Sequence, residues 1–239
     1  MSLQNMNVVV IGGTSGMGLE IARLAAAEGA RVTAAGRSAD RARAAQSSLG
    51  DDVAVRSLDM ANEPAVQSFF AAMNVIDHLV ITATGGALRF GKVVDTSMAE
   101  IRSQLEDRFW GTYNVVRYAA PLMPATGSIT LFSGGLAVKA RVGAGVISAA
   151  VAAVEALGRT LALELAPIRV NTVRSGQVDT PLLRAAIPHF DEFAQTAGAA
   201  LPVKRIGVPA DIAHAVLFLM TNPFTTGSVL GIDGGGLLA

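Results

Sequence analysis

The stretch "VVVIGGTSGMGLEIA", residues 8–22, decides the reading of the fold. Four β-branched residues form a short apolar run, as in a buried strand; a glycine-rich turn and a helix start follow. Gly12, Gly16 and Gly18 are spaced Gly-x-x-x-Gly-x-Gly. Such glycines let the backbone turn tightly and approach a pyrophosphate, with the positive end of a helix behind it. The candidate nucleotide contacts in this turn are Gly12, Thr14, Ser15, Gly16, Met17 and Gly18. The turn lies at the first strand–helix junction, where a dinucleotide-binding fingerprint belongs.

Working outward, apolar runs at 31–35, 53–58, 78–82, 128–132, 168–173 and 228–232 read as further strands. Ala-rich or apolar-periodic runs at 18–29, 39–49, 63–72, 98–123, 146–165 and 211–221 read as helices. The strands are continuous apolar runs, which is expected when helices cover both faces of a sheet. Regular alternation predicts an α/β, single-domain Rossmann fold over 1–239, with a doubly wound parallel sheet. The less regular 180–201 reads either as a substrate lid or as a surface helix pair.

Composition supports one sizeable core: 51% of the 239 residues are hydrophobic and 16% charged. The 19 basic and 19 acidic residues cancel, so no basic face argues for nucleic acid. Zero cysteines exclude disulfides, thiolate catalysis and Cys-ligated metal. No signal-peptide pattern and no uninterrupted membrane span are read from the sequence, and the expected setting is cytoplasmic.

The second strand end tests the cofactor type. An acidic residue there would accept the ribose 2′-hydroxyl of NAD. Here the segment is "AAGRSADR", with Arg37 followed by Ser38 and no carboxylate before Asp40. A guanidinium suits a phosphate, which predicts a preference for NADP(H) over NAD(H).

With these segments in hand, the chain resembles the short-chain dehydrogenase/reductase family over nearly its whole length. "SLDM" (57–60) is similar to the family segment beside the adenine, which implies contacts from Asp59 and Met60. "VITATGG" (80–86) replaces the family's Asn-Asn-Ala-Gly, and implies cofactor contacts from Ala83, Thr84 and Gly85. "LELAPIRVNTV" and "SGQVDTPL" resemble the family's last helix-to-strand turn and the stretch after it, implying carboxamide contacts from Val178 and Thr180. "VKRIGVPADIAHAVLFLM" and "TTGSVLGIDGGG" resemble its C-terminal signature.

The resemblance fails where the family keeps its proton chemistry. Its Tyr and Lys positions fall on Ile147 and Val151, its Ser position on Gly134 just after Ser133, and its Asn position on Arg108. Neither Tyr113 nor Tyr118 is followed by Lys four residues later, so no register shift restores the pair. The candidate catalytic residues are therefore Ser133, which would hydrogen-bond a substrate oxygen, and Arg108, which would stabilise an oxyanion without moving a proton. Arg108 could instead pair with Glu106, Asp107 or Glu155. Lys139 and Arg141, in the loop after the fifth strand, and His189, in the expected lid, are further candidates.

Three readings follow. The first is NADP(H)-dependent hydride transfer on a small, apolar, carbonyl-like substrate. The second is an NADP(H)-binding protein without turnover, a redox sensor or a partner of an active relative. The third is lyase, isomerase or dehalogenase chemistry in the same cleft. The small residues Ala149, Ala150, Ala152, Ala153 and Ala156 would permit close helix approach, and the resemblance implies dimers or tetramers. No metal site is expected.

Overall fold

The computed structural model describes residues 2–50, 52–84, 86 and 88–239. Seven strands form one parallel sheet: β1 (Asn7–Ile11), β2 (Arg31–Gly36), β3 (Ala54–Ser57), β4 (His78–Ile81), β5 (Ser128–Gly134), β6 (Arg169–Ser175) and β7 (Val229–Ile232). Their order is β3-β2-β1-β4-β5-β6-β7, a doubly wound Rossmann-type sheet. The order reverses at β1, which pairs with β2 on one side and β4 on the other. The crevice outside the carboxyl ends of β1 and β4 is where such a sheet binds ligands.

The helices are α1 (Gly16–Ala27), α2 (Ala39–Leu49), α3 (Glu63–Ala71), α4 (Met98–Leu105), α5 (Gly111–Ala119), α6 (Gly145–Glu164), α7 (Pro181–Ala186), α8 (Phe190–Ala200) and α9 (Pro209–Thr221). Two cores follow from the alternation of faces along the central strands. Val8 and Val10 pack with Ile21, Ile212 and Leu219 on one face, whereas Val9 and Ile11 pack with Phe70, Val115 and Leu161 on the other. The helix expected over 98–123 is not one α-helix. Its middle, Glu106–Trp110, is a π-helical turn between α4 and α5, and it closes with a 3₁₀ turn, Ala120–Leu122. An inserted π-turn shifts the side chains that follow, and such turns are frequent at functional sites.

α6 is long and apolar enough to cross a membrane by length and composition. Its place is that of a core helix. Ile147, Ala150, Val154 and Gly158 are buried, and the helix packs on β5 and β6. Gly158 permits that approach, because a Cβ there would stand 2.7 Å from Thr172 Oγ1. The segment 180–201 forms α7 and α8 rather than irregular chain.

Candidate functional site

The glycine turn sits at the carboxyl end of β1. Gly12 has φ of +92°, a region that disfavours side chains, and its N–H donates to Ala35 O at 2.7 Å, tying the turn to β2. Gly18 is constrained by proximity instead: a Cβ would stand 2.2 Å from Gly12 O and 2.6 Å from Thr82 Oγ1. The turn, the start of α1 and Thr82 at the end of β4 are thus tightly packed together. Ser15 is the N-cap of α1 and makes no side-chain capping bond, and the first turn holds no acidic residue. Free N–H groups, a positive helix end and no repelling carboxylate suit a pyrophosphate, so the cradle fits the dinucleotide that the sequence implies.

The other expected contacts gather around this cradle. Thr14 is buried under Gly36 at the end of β2, where a Cβ would meet Thr14 Oγ1 at 2.1 Å. Met17 is half-buried in the first turn of α1 and packs against the core beneath it. Thr180 is buried and caps α7 by accepting from Leu183 N–H at 3.3 Å. Its side chain lies 3.3 Å from where a Cβ on Gly16 would be, so the start of the expected lid rests on the glycine turn. Val178 is buried and bridges to Gly207. Ala83 N–H donates to Ile11 O at 3.1 Å, and Thr84 follows it half-buried. Gly85 lies outside the described residues.

Arg37, Ser38, Asp59 and Met60 lie past the ends of β2 and β3. Ser38 caps α2 by accepting from Arg41 N–H at 3.3 Å. Asp59 caps its own turn, accepting from Ala61 N–H at 3.1 Å. Met60 is buried against Gly111, whose Cβ would stand 2.7 Å from its side chain. Arg37 is held by an ion pair with Asp107 at 3.7 Å.

The catalytic candidates are placed less simply. Ser133 is buried at the end of β5 and donates its hydroxyl proton to Glu155 Oε1 at 2.6 Å. Arg174 donates to the same carboxylate at 2.8 and 2.7 Å. Burial alone would raise the Glu155 pKa, but the hydrogen bonds from Arg174 and Ser133 and the nearby positive charge hold it below the usual value. As placed, Ser133 has no proton to give to a substrate oxygen. The sequence missed Arg174 and left Glu155 as a partner for Arg108; Glu155 belongs instead to Ser133 and Arg174.

Arg108 lies in the π-turn, which packs on α6, and is only 5% exposed. Neither of its terminal nitrogens has a hydrogen-bond partner among the described residues, nor does the buried Gln104 Oε1 one turn earlier. Burial pushes its guanidinium below the usual arginine value, against the pull of Asp107. A buried cation without hydrogen bonds to its terminal nitrogens among the described residues is costly. On α6, Ile147 is buried and Val151 half-buried, and Gly134 ends β5 half-buried.

Lys139 and Arg141 are engaged elsewhere. Lys139 donates to Gly236 O and to the backbone oxygen of Ala239. Arg141 stacks over the Phe90 ring at 4.9 Å. His189 is exposed and is the N-cap of α8, with φ of +51°. Among the described residues, no group of three or more His, Asp or Glu side chains could hold a metal.

Comparison with known proteins agrees with this geometry. The family model described as enoyl-(acyl carrier protein) reductase matches residues 12–236. The human 3-oxoacyl-[acyl-carrier-protein] reductase is 33% identical over 234 residues, spanning 95% of each chain. The short-chain dehydrogenase/reductase ucsE from Acremonium sp is 35% identical over 258 residues, spanning 99% of this chain and 97% of its own. Among solved structures, a small-chain dehydrogenase in complex with NADPH matches with a TM-score of 0.82 at 33% identity, covering 99% of this chain and 100% of its own. Glycine turn, strand order and full-length likeness converge: the chain belongs to the short-chain dehydrogenase/reductase family of oxidoreductases.

Proposed function

We propose that the chain is an NADP(H)-dependent oxidoreductase of this family that works without the family's Ser, Tyr and Lys. The observation that carries the reading is the intact cradle at the β1–β4 crevice with Arg37 at the end of β2. A relative of similar length was crystallised with NADPH, which supports the cofactor type. The nicotinamide dinucleotide would supply hydride chemistry when bound. The glycine turn, Asp59, Met60, Ala83, Thr84, Gly85, Val178 and Thr180 would hold it, and Arg37 and Ser38 would hold the 2′-phosphate. Arg108 would stabilise negative charge developing on a substrate oxygen. Ile147 and Val151, in the places of the family's Tyr and Lys, give the site an apolar floor and favour a small, apolar, carbonyl-like substrate. The segment 180–201 would serve as the lid, since Thr180 touches the turn at Gly16.

A second reading is an NADP(H)-binding protein without turnover. It is favoured by the commitment of the Ser133 proton to Glu155 and by the absence of a titratable side chain at 147 and 151. Self-association belongs to both readings. Trp110 and Tyr113 are exposed beside the half-exposed small residues of α6, and Leu163 near its end is 81% exposed.

Titration with NADPH and NADH, followed by nicotinamide fluorescence, tests the cofactor. Tight NADPH binding with an enhanced, blue-shifted emission supports the reading, and a screen over ketones, enones and imines then separates enzyme from sensor. Arg37→Ala should weaken NADPH binding much more than NADH binding; equal loss removes the 2′-phosphate assignment. No binding of either nucleotide removes both readings.

A further inference from the structure

The ion pair between Arg37 and Asp107 joins two segments that the chain keeps far apart. Arg37 follows Gly36, the last residue of β2, and Asp107 belongs to the π-turn between α4 and α5. Their charged atoms are 3.7 Å apart, with Arg37 45% and Asp107 16% exposed at the side chain. That separation is an ion pair without a hydrogen bond. α5, which continues directly from the π-turn, is anchored on the segment after β3: Gly111 rests on Met60, and Asn114 Nδ2 donates to Met60 O at 3.4 Å. The loop after β4 closes the other side, since a Cβ on Gly86 would stand 3.2 Å from Asp107 Oδ2. Asp107 therefore sits where the chain segments after β2, β3 and β4 converge, with its carboxylate turned to the one cation assigned to the 2′-phosphate.

We infer that Asp107 is a specificity-determining residue: it competes with the cofactor 2′-phosphate for Arg37 and so limits the preference for NADPH over NADH. The inference rests on the proposed role of Arg37. A half-exposed ion pair without hydrogen bonds is weak, and a phosphate bound through charge-assisted hydrogen bonds replaces it. The carboxylate then remains close to a dianion, and like charges at this range oppose binding. NADH brings no charge to Arg37 and leaves the pair intact. The π-turn is what delivers the carboxylate, because it rotates this stretch relative to a continuous α-helix.

The experiment is fluorescence titration of NADPH and NADH at one fixed, low ionic strength with wild type, Asp107→Asn, Asp107→Ser, Arg37→Ala and the double variant Arg37→Ala/Asp107→Asn. Asn keeps the size and shape of the side chain, and Ser provides a second neutral replacement; thermal melts identify the folded variants. Both neutral variants should bind NADPH about 3- to 10-fold more tightly, with NADH binding within about 2-fold of wild type. In the Arg37→Ala background the gain should shrink below about 2-fold, because the competition has lost its object. Unchanged NADPH affinity in both folded neutral variants overturns the inference, as does an equal gain for NADH or a gain that persists without Arg37. If Arg37→Ala weakens NADPH selectively and the Asp107 variants change nothing, the cofactor assignment stands and the role of Asp107 alone falls. Equal loss of both cofactors in Arg37→Ala removes the assignment itself.

Discussion

Ser133 and Glu155 share a short buried hydrogen bond of 2.6 Å, and Arg174 clasps the same carboxylate. The three residues come from β5, α6 and β6, so the bond fastens the central helix to the end of the sheet beside the cleft.

This network should carry stability rather than chemistry. Glu155→Leu leaves a largely buried guanidinium unpaired and should cost about 3–5 kcal/mol. The double variant Glu155→Leu/Arg174→Met should recover much of that loss, because neither charge remains. The folded pKa of Glu155 lies below its usual value, so its contribution is complete above the ordinary carboxyl range and disappears as pH falls through the depressed folded value. Denaturant titrations of wild type, Glu155→Leu, Arg174→Met and the double variant from neutral to acid pH measure both effects; additive losses would show that the charges are not coupled.

Arg108 and Ser133 should separate in their effects. Arg108→Met removes a buried cation whose terminal nitrogens have no hydrogen-bond partner among the described residues, so stability should be unchanged or raised. On any substrate found, its turnover should fall at least about 10-fold. Ser133→Ala should show the opposite: a lower melting temperature and turnover within about 3-fold of wild type. Full activity in Arg108→Met would return this residue to a packing role.

Gly18→Ala tests the cradle without touching a charge. The added Cβ would stand 2.2 Å from Gly12 O, so backbone must move, at a cost of about 1–3 kcal/mol. NADPH and NADH binding should weaken together, by at least about 10-fold, because the pyrophosphate is common to both. Unchanged affinity in a folded Gly18→Ala protein would place the nucleotide elsewhere.

His78 predicts a separate acid response far from the cleft. It lies at the start of β4, is 6% exposed, and its Nδ1 is 2.8 Å from Ser128 Oγ. Burial, helped by the nearby Arg169 charge, lowers its pKa to about 4 from 6.5. The fold thus favours the neutral ring. Its contribution is complete above about pH 6.5 and is lost as pH falls towards about 4, up to about 3 kcal/mol. His78→Asn should flatten the stability profile between those values while leaving cofactor affinity unchanged. An identical slope in the variant would mean that another group sets the acid response.

Much of the fold was legible because its signals are local. The continuous apolar strands, the helix over Ala39–Leu49 and the glycine turn each depend on neighbours a few residues away, and every strand was expected within two residues or so of its place. The turn at Glu106–Trp110 was not legible, since the same apolar spacing suits an unbroken helix, and the turn packs on α6, a partner distant in sequence.

Local sequence specifies the sheet, the glycine turn and the residue types near it. It left open which charge meets which. Glu155 was available to Arg108 as readily as to any other cation; the fold gives it to Arg174 and Ser133, and leaves Arg108 buried without a hydrogen-bond partner for either terminal nitrogen among the described residues. Asp107 and Arg37 meet only because the ends of β2, β3 and β4 converge under the π-turn. Backbone preference is decided over a few residues, whereas an ion pair depends on which groups lose water together, and that is a property of the assembled tertiary structure.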